Sequence, residues 1–244
     1  MPRAVVLLSG GMDSATTLAL AVRDGFESHA LTLRYGQKNA LELERAALIA
    51  RLLGAASHRF ADADLAVQGA SALTDVSIPV PKSLSDEVPG SGIPPTYVPA
   101  RNIVLLSMAL SYAEVLRALD VFVGINAVDF GGYPDCRPAF LEAFEKVANL
   151  GTRAGVLGDR FRLRAPLMEM SKADIVRTAV ALGVDLAATL SCYDPEPGGH
   201  PCGACDSCRI RARGFREAGI PDPALERRMA QGAKGSLPRG RRTR

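Results

Sequence analysis

One segment near the N-terminus, residues 9–14 with the sequence SGGMDS, constrains the fold of this chain more than any other. The apolar residues 5–8 precede it directly, and the alanine-rich residues 15–21 follow it. This order predicts a strand, a tight turn and a helix. Its two glycines allow positive φ and a close approach to a ligand, and the first N–H groups of the helix point at that ligand. The segment therefore predicts an anion site.

The residues of the turn indicate which kind of anion site it is. They match neither the GxxxxGK[ST] pattern nor the GxGxxG pattern. A serine before the glycines, with Asp13 and Ser14 after them, resembles the SGGxDS loop of the ATP pyrophosphatases, which holds the β and γ phosphates while the α phosphorus is attacked. The resemblance implies AMP-forming chemistry. The alternative is an unliganded turn capped by Asp13 or Ser14, and the strand-then-helix context favours the phosphate loop.

Strand and helix patterns alternate along the chain. Strands are predicted at residues 30–35, 57–60, 121–125 and 161–165, and helices at 39–53, at 103–119, around Phe140 to Val147, and from the cap at Ser171 to Gly183. Strand, helix and strand in this order predict a parallel sheet with right-handed crossovers. We therefore expect an α/β fold with a doubly wound parallel sheet. We find no internal repeat.

A proline- and glycine-rich stretch, residues 78–99, predicts a long loop, because neither a helix nor a central strand can run through it. It leads into the almost continuously apolar helix 103–119, which we expect to be buried on most sides. Arg101 stands at the start of this helix and needs a partner there. A bound phosphate or carboxylate is one candidate partner, and a carboxylate of the protein itself is the other.

The loop at residues 126–137 follows a buried strand. In doubly wound sheets, ligands bind beyond the carboxyl ends of the strands, where both this loop and the loop at 9–14 would lie. Two acids, Asp129 and Asp135, share it with Asn126 and Tyr133. These residue types predict a binding site for a polar small molecule.

Four cysteines, Cys192, Cys202, Cys205 and Cys208, fall in a short segment that is rich in glycine and proline. Four thiolates around one tetrahedral zinc ion would hold such a segment together. An iron–sulfur cluster is the alternative, and the ligand number favours zinc. A site with four protein ligands leaves no position for a substrate, so we expect a structural role. His200 could replace one thiolate, and Cys136 is interpreted as a packed thiol.

Composition limits the class of protein. A chain of 244 residues predicts one domain with an appendage: a nucleotide-binding domain at 1–186, a four-cysteine element at 187–222 and a basic, flexible tail at 223–244. The net charge of +3 lies largely in that tail and is too small to indicate nucleic-acid binding. No apolar stretch reaches the roughly 18 residues of a membrane span, and no signal-type segment precedes the first strand. We expect a cytoplasmic protein.

Five segments taken in order make the resemblance specific. They are residues 9–14, 35–38, 97–102 and 131–137, and residues 191–193 with the later cysteines. Over residues 4 to about 222, the chain closely resembles the QueC family, the 7-cyano-7-deazaguanine synthases of the queuosine pathway. The resemblance implies a Rossmann-like, adenine nucleotide alpha hydrolase-like domain with a small zinc-binding element. It also implies conversion of 7-carboxy-7-deazaguanine and ammonia to the nitrile, with consumption of ATP, in a homodimer.

The resemblance further implies roles for individual residues. ATP, with Mg²⁺, would be held by the phosphate loop and the helix start, that is by Leu8, Ser9, Gly10, Gly11, Met12, Asp13, Ser14, Ala15, Thr16, Thr17 and Leu18. The catalytic set would be Asp13, Ser14, Arg101 and Lys172, with the last two neutralising charge at the α phosphate.

For the substrate, Tyr97, Asn126, Asp129, Tyr133, Asp135 and Arg137 are the candidates. A carboxylate can accept the adjacent N–H donors of a deazaguanine as a pair, so Asp129 or Asp135 is the expected recogniser. Tyr133 or Tyr97 is the expected stacking partner. Asp135 has an alternative role as a cap for the helix that follows it.

Two other functions use the same features. An ATP pyrophosphatase could adenylate a base of tRNA, but such enzymes usually need an RNA-binding module or catalytic cysteines near the ATP. A zinc ribbon with a basic tail could bind nucleic acid. The sequence offers neither a stacked-aromatic nor a basic-helix platform, so we expect no stable nucleic-acid partner.

Overall fold

The computed structural model describes residues 1–83, 92–126 and 132–225. Its centre is a five-stranded parallel sheet in the order β3-β2-β1-β4-β5. The strands are β1 Arg3–Leu7, β2 Glu27–Arg34, β3 Ser57–Asp62, β4 Asp120–Phe122 and β5 Arg162–Arg164. The chain builds one half of the sheet outward from β1 and then returns to the other side of β1 for β4. This topology confirms the predicted α/β fold and puts a switch point between β1 and β4.

Seven α-helices lie within the described residues. They are α1 Met12–Arg23, α2 Leu41–Leu52, α3 Arg101–Leu116, α4 Pro138–Gly151, α5 Arg153–Val156, α6 Lys172–Ala181 and α7 Asp206–Ala218. Two 3-10 turns, Ala66–Gln68 and Pro134–Cys136, complete the regular structure. The predicted helices exist with ends shifted by a few residues, and α7 was not predicted. None of these helices combines the length and apolarity needed to cross a bilayer.

The central strand β1 is buried on both faces, as expected in a doubly wound sheet. Its Ala4 and Val6 face one hydrophobic core, and Val5 and Leu7 face the other. The first core is filled from α1, α2, α6 and α7, with Leu18, Ile49, Ile175, Val176 and Phe215 among its buried side chains. The second is filled from α3 and α4, with Leu106, Ala109, Ala113, Leu141 and Phe144.

Helix α3 departs from the expected burial. It buries one stripe, which contains Leu106, Ala109 and Ala113, against the sheet. Its opposite side is open, because Ile103 is 44% and Val115 is 76% exposed. The expectation that this apolar helix is buried on most sides is therefore wrong. A helix that covers one face of a sheet needs only one apolar side.

The C-terminal part of the described chain packs on helix α6 and on the first hydrophobic core. Helix α7 lies against α6, and Phe215 of α7 is 2% exposed in the first core. Arg211 of α7 forms a buried two-point ion pair with Asp222, with nitrogen–oxygen distances of 2.7 and 2.9 Å. The boundaries at residues 186 and 222 remain a prediction. Residues 226–244, most of the basic tail, lie outside the described residues.

Candidate active site and metal centre

The phosphate loop links β1 to α1 in a conformation that only glycine adopts easily. Gly10 has a φ of +86°, and a Cβ there would clash with the backbone carbonyl of Glu42 in the first turn of α2. The Gly10 carbonyl accepts the Leu190 N–H at 3.0 Å. The loop is therefore held between α2 and the segment that enters the cysteine element.

The two serines of the loop hold its shape from within. Ser14 Oγ donates to the carbonyl of Gly11 at 3.1 Å and accepts the N–H of Ser9 at 3.1 Å. The hydroxyls of Ser9 and Ser14 also lie 3.1 Å apart. The first N–H groups of α1 have no intrahelical acceptor, as at every helix start, so this end of the loop offers donors to an anion.

Asp13 is the centre of a charged cluster. Its Oδ2 accepts from Lys172 Nζ and from Asn126 Nδ2, both at 2.7 Å. Its Oδ1 is buried and has no hydrogen-bond partner among the described residues. The cluster therefore connects three parts of the chain: the first residue of α6, the segment that follows β4, and the phosphate loop. An unpaired carboxylate oxygen at this position suits a cation, because a buried acceptor without a partner is costly.

A cavity of about 270 Å³ opens in front of the loop, at the carboxyl ends of β1, β2 and β4. Its wall contains the sequence-predicted residues Leu8, Ser9, Gly11, Met12, Asp13, Ser14, Arg101, Tyr133 and Lys172. It also contains residues to which the sequence analysis assigned no role, among them Tyr35, Glu42, Ser191, Tyr193 and Ser207. The phosphate loop and the cysteine element therefore form one wall of one site.

Arg101 begins α3 and reaches into an aromatic environment. Its guanidinium lies 5.8 Å from the ring centre of Tyr35. Burial opposes its charge, yet the oxygens of Tyr35, Tyr133 and Tyr193 raise its pKa, so it stays a cation. A fixed positive charge in the cavity favours a phosphate or carboxylate ligand.

Glu42 is the acidic residue that sequence reasoning missed. It lies within the helix predicted at residues 39–53, which received no functional role, but its side chain lines the cavity. Burial raises the pKa of Glu42 to about 7, while a hydrogen bond from Gln37 and the charge of Arg101 act in the opposite direction. Burial also raises the pKa of Tyr35 to about 12, with the charge of Glu42 adding to the effect.

The predicted substrate residues have different surroundings. Tyr133 lines the cavity, and the ring centres of Tyr97 and Tyr133 are 6.1 Å apart. Asn126 is fully buried and donates to Asp13. Arg137 is exposed at the start of α4. Asp129 lies outside the described residues.

Asp135 is committed to a backbone contact. Its Oδ2 accepts the N–H of Asn102 at 2.9 Å, and Asn102 Nδ2 donates to the backbone carbonyl of Asp135 at 3.2 Å. The residue is 5% exposed. Asp135 therefore caps α3, which precedes it in the chain, and not α4, which follows it. Cys136 beside it is buried and accepts from Asn102 at 3.1 Å.

The remaining predicted nucleotide residues support the loop from behind. Gly10 packs on α2, as described above. Ala15, Thr16, Thr17 and Leu18 have no exposed surface, and the hydroxyls of Thr16 and Thr17 donate to carbonyls one turn earlier in α1. They shape the start of α1 from inside the core.

The four predicted metal ligands come together. The sulfur atoms of Cys192, Cys202, Cys205 and Cys208 all lie within 4.8 Å of one another, and those of Cys192 and Cys205 are 4.0 Å apart. A tetrahedral zinc site with bonds of about 2.3 Å needs sulfurs about 3.8 Å apart, so the four residues fit such an ion. Among the described residues His200 is not part of the cluster, and neither is Cys136.

Hydrogen bonds within the cluster favour a thiolate at Cys205, and hydrogen bonds between the thiols raise the pKa of Cys192 and of Cys208. Hydrogen bonds from the Cys192 and Cys208 thiols lower the pKa of Cys205. The backbone N–H groups of Cys202 and Cys205 donate to the sulfurs of Cys192 and Cys202 at 3.3 and 3.4 Å. Such donors stabilise negative sulfur and orient it toward a metal. The four cysteines could hold a metal ion.

The cluster also connects distant parts of the chain to the cavity. Asn39, just before α2, donates to the carbonyl of Cys192 at 3.0 Å, and Ser83 donates to the carbonyl of Ala204 at 3.0 Å. Tyr193 packs beside the cysteines and lines the cavity. The four-cysteine segment therefore builds part of the wall of the cavity.

The chain is similar to known proteins over most of its length. The family model described as queuosine biosynthesis protein QueC matches residues 3–219. A 7-cyano-7-deazaguanine synthase from Methylococcus capsulatus is 56% identical over 227 residues, which are 93% of this chain and 100% of that protein. A 7-cyano-7-deazaguanine synthase from Anaeromyxobacter sp. is 58% identical over 223 residues, 91% of this chain and 95% of that protein.

A solved structure with a related chain trace is that of NMN synthetase from Francisella tularensis. It has a TM-score of 0.47 and 15% identity, and the match covers 100% of this chain and 88% of that one. No conclusion about function follows from a similarity at that level. The family match and the sequence identities are far stronger, and they extend over the loop, the cavity and the cysteine cluster. By these matches, the chain belongs to the QueC family of queuosine biosynthesis proteins.

Proposed function

We propose that this protein is a 7-cyano-7-deazaguanine synthase, a C–N bond-forming ligase of queuosine biosynthesis. It converts 7-carboxy-7-deazaguanine and ammonia to 7-cyano-7-deazaguanine and releases AMP and pyrophosphate. The observation that carries the proposal is identity of 56 to 58% with synthases of that name over more than nine-tenths of the chain. The cavity, with an anion loop on one side and fixed cations on the other, supports it.

The chemistry requires an activated oxygen. A carboxylate is a poor electrophile, so transfer of the AMP group to its oxygen creates a leaving group, and ammonia then forms the amide. A second adenylation, on the amide oxygen, allows elimination to the nitrile. No covalent enzyme intermediate is needed, because positioning and charge stabilisation account for the acceleration.

The phosphate loop supplies the anion-binding part of this reaction. Ser9, Gly11 and Ser14 line the cavity, and the N–H groups at the start of α1 would donate to the pyrophosphate portion of ATP. Lys172 and Arg101 are proposed to neutralise charge at the α phosphate and on the acyl adenylate. The position of Lys172 supports this role, because its side chain lines the cavity and Asp13 holds its ammonium group beside the phosphate loop.

Mg²⁺ is proposed to bind at Asp13. The unpaired Asp13 Oδ1 supports this assignment, since Oδ2 is already used by Lys172 and Asn126. When bound there, the ion would reduce the charge on the phosphates. Asn126 is proposed to orient the Asp13 carboxylate.

Zinc is proposed to occupy the four-cysteine cluster in a structural role. The all-sulfur ligand set supports zinc, and four protein ligands would close the coordination sphere. Because Ser191, Tyr193 and Ser207 line the cavity next to the ligands, the ion would stabilise that wall.

Tyr133 is proposed to contact the deazaguanine ring, with Tyr97 packed behind it. Asp129 and Arg137 are proposed substrate contacts that rest on the sequence. The Asn102 contact supports a positioning role for Asp135. We further propose a cytoplasmic homodimer that has no stable nucleic-acid partner, on the basis of the sequence resemblance.

One assay tests the proposal. The protein is incubated with ATP, Mg²⁺, ammonium and 7-carboxy-7-deazaguanine, and AMP, pyrophosphate and nitrile are measured. We expect all three products, and none when the carboxylate substrate is omitted. Release of ADP and phosphate without AMP would contradict the proposed mechanism.

A further inference from the structure

The cavity contains a carboxylate that the phosphate chemistry does not use. Within the described part of the chain, Asp13 and Glu42 are the two acidic residues in its wall. Asp13 Oδ2 is taken by Lys172 and Asn126, and its Oδ1 suits a cation. Glu42 has no such assignment, although its position in the first turn of α2 puts it beside the phosphate loop, where Gly10 packs on its backbone.

The surroundings of Glu42 resemble a binding pocket more than a structural ion pair. Gln37 donates to its side chain, and the amide of Gln37 is itself held by the Tyr35 N–H at 2.7 Å and the Leu33 carbonyl at 3.2 Å. No ion pair to Glu42 within 4.0 Å is found among the described residues. A poorly solvated carboxylate destabilises the fold unless a ligand supplies donors.

The substrate of the proposed reaction has such donors. On its pyrimidine edge a deazaguanine carries a ring N–H next to an exocyclic amino group, and a carboxylate accepts the two together. The rings of Tyr35, Tyr133 and Tyr193 border the same cavity and suit a flat heterocycle. Asp135 was also predicted to recognise the base, but its carboxylate already accepts the Asn102 N–H.

We propose that the Glu42 carboxylate accepts the ring N–H and the 2-amino group of the deazaguanine, and that it thereby selects a guanine-type base. The inference rests on the proposed function and deepens it. The base would be held at the first turn of α2, with its carboxylate free to face the nucleotide. Glu42 is then a specificity-determining residue, and it takes no part in proton transfer.

The assignment has a pH signature. The titratable or charged groups that face Glu42 are Arg101, from the start of α3, and Tyr35, which follows β2, with Tyr133 and Tyr193 beyond Arg101. Burial raises the pKa of Glu42 to about 7, and only the ionised carboxylate accepts two donors. The KM for the carboxylate substrate should therefore fall as the pH rises through about 7.

The test combines a variant with a substrate analogue. Glu42→Gln is compared with the wild type and with Glu44→Gln, a matched change at an exposed position of the same helix. Each protein is assayed with 7-carboxy-7-deazaguanine and with the analogue that lacks the 2-amino group. Wild type and Glu44→Gln should prefer the natural substrate by about 10- to 100-fold in kcat/KM. Glu42→Gln should lose most of this preference and the pH dependence of KM, with the KM for ATP and for ammonium unchanged.

Several outcomes would overturn the assignment. If Glu42→Gln still discriminates fully between the two substrates, the assignment is wrong. It is also wrong if the variant raises the KM for ammonium and leaves the KM for the base unchanged, because the carboxylate would then bind the nitrogen donor. Loss of discrimination in Asp129→Asn alone would move recognition to that residue. If Glu42→Gln does not fold, Glu42→Asp, which retains the charge but shortens the reach, should show reduced discrimination.

The wild-type reaction separates this inference from the proposed function. If the wild type forms no AMP and nitrile from the natural substrate, the proposed function fails and the Glu42 assignment fails with it. If the wild type forms the products and Glu42→Gln discriminates between the substrates as well as the wild type, only the assignment of Glu42 fails.

Discussion

Lys172 and Asp13 are 159 positions apart in the chain, yet Lys172 Nζ donates to Asp13 Oδ2 at 2.7 Å. Each residue lies in the first turn of a helix, Asp13 in α1 and Lys172 in α6. Helix α7 supports the contact from behind, because a Cβ at Gly214 would lie 2.5 Å from Cγ of Lys172. A glycine in the middle of α7 therefore leaves room for the lysine that reaches the phosphate loop.

Replacing Lys172 by methionine should lower kcat by about 10²- to 10³-fold, because a fixed positive charge at the transferred phosphate would be lost. Methionine keeps the length and the apolar contacts but leaves the Asp13 carboxylate without its charged partner, so the unfolding midpoint should fall as well. Steady-state kinetics together with thermal unfolding measure the two effects. Arg177→Gln, at an exposed position of the same helix, is the control and should keep the wild-type kcat. A variant that kept wild-type kcat would contradict the catalytic role of Lys172.

Gly10→Ala and Gly25→Ala form a matched pair. Both glycines have positive φ, +86° and +83°, but a Cβ at Gly25 meets nothing within 4 Å, whereas one at Gly10 meets the Glu42 carbonyl. Gly25→Ala should lose about 1 kcal/mol of unfolding free energy from backbone strain alone. Gly10→Ala should lose at least about 2 kcal/mol and raise the KM for ATP, because the loop must move. Urea unfolding and ATP titration measure these changes, and equal losses in both variants would contradict the proposed contact.

Cys205→Ser should remove the bound metal and destabilise the wall of the cavity. We expect about one zinc ion per chain in the wild type and much less in the variant, since three thiolates bind far more weakly than four. Metal content by mass spectrometry and the unfolding midpoint measure the two effects. Cys136→Ser is the control and should retain the metal, because Cys136 lies outside the cluster. A Cys205→Ser protein that kept its fold and metal but lost all turnover would contradict a purely structural role.

Glu42 should make stability fall with rising pH. Burial raises its pKa from 4.5 to about 7, so between these values the folded state binds more protons than the unfolded state. The wild type should lose stability relative to Glu42→Gln as the pH rises from about 4.5 through 7. Urea unfolding of both proteins at pH 5 and pH 8 measures the difference. Glu44→Gln should follow the wild type, and a pH-independent difference would contradict the burial of the Glu42 carboxyl.

Much of the fold could be predicted because its signals are local. The apolar runs and caps that define β1, α2 and α6 are consecutive residues, and the crossover rule then orders the strands. The burial of α3 could not be predicted in the same way. Apolar residues such as Val115 give the same sequence pattern whether or not another element covers them.

Site residues divide along the same line. The phosphate loop and the cysteines were predictable because their spacing in the chain is the spacing that the chemistry needs. Glu42 was not, because a glutamate on the polar face of a helix has the same sequence pattern whether it faces water or a cavity. Asp135 illustrates the converse, since its place in a polar loop suggested a ligand and its carboxylate caps α3.

The parallel α/β fold, the loop at residues 9–14 and the four-cysteine set could be predicted from the amino-acid sequence, because the pattern of each is carried by segments that are continuous in the chain. Three further contacts became visible in the folded chain: Lys172 reaches Asp13, Tyr193 of the cysteine segment lines the cavity, and Glu42 faces the same cavity. These are contacts between elements brought together by the sheet order β3-β2-β1-β4-β5, and periodicity along the chain carries no information about such contacts.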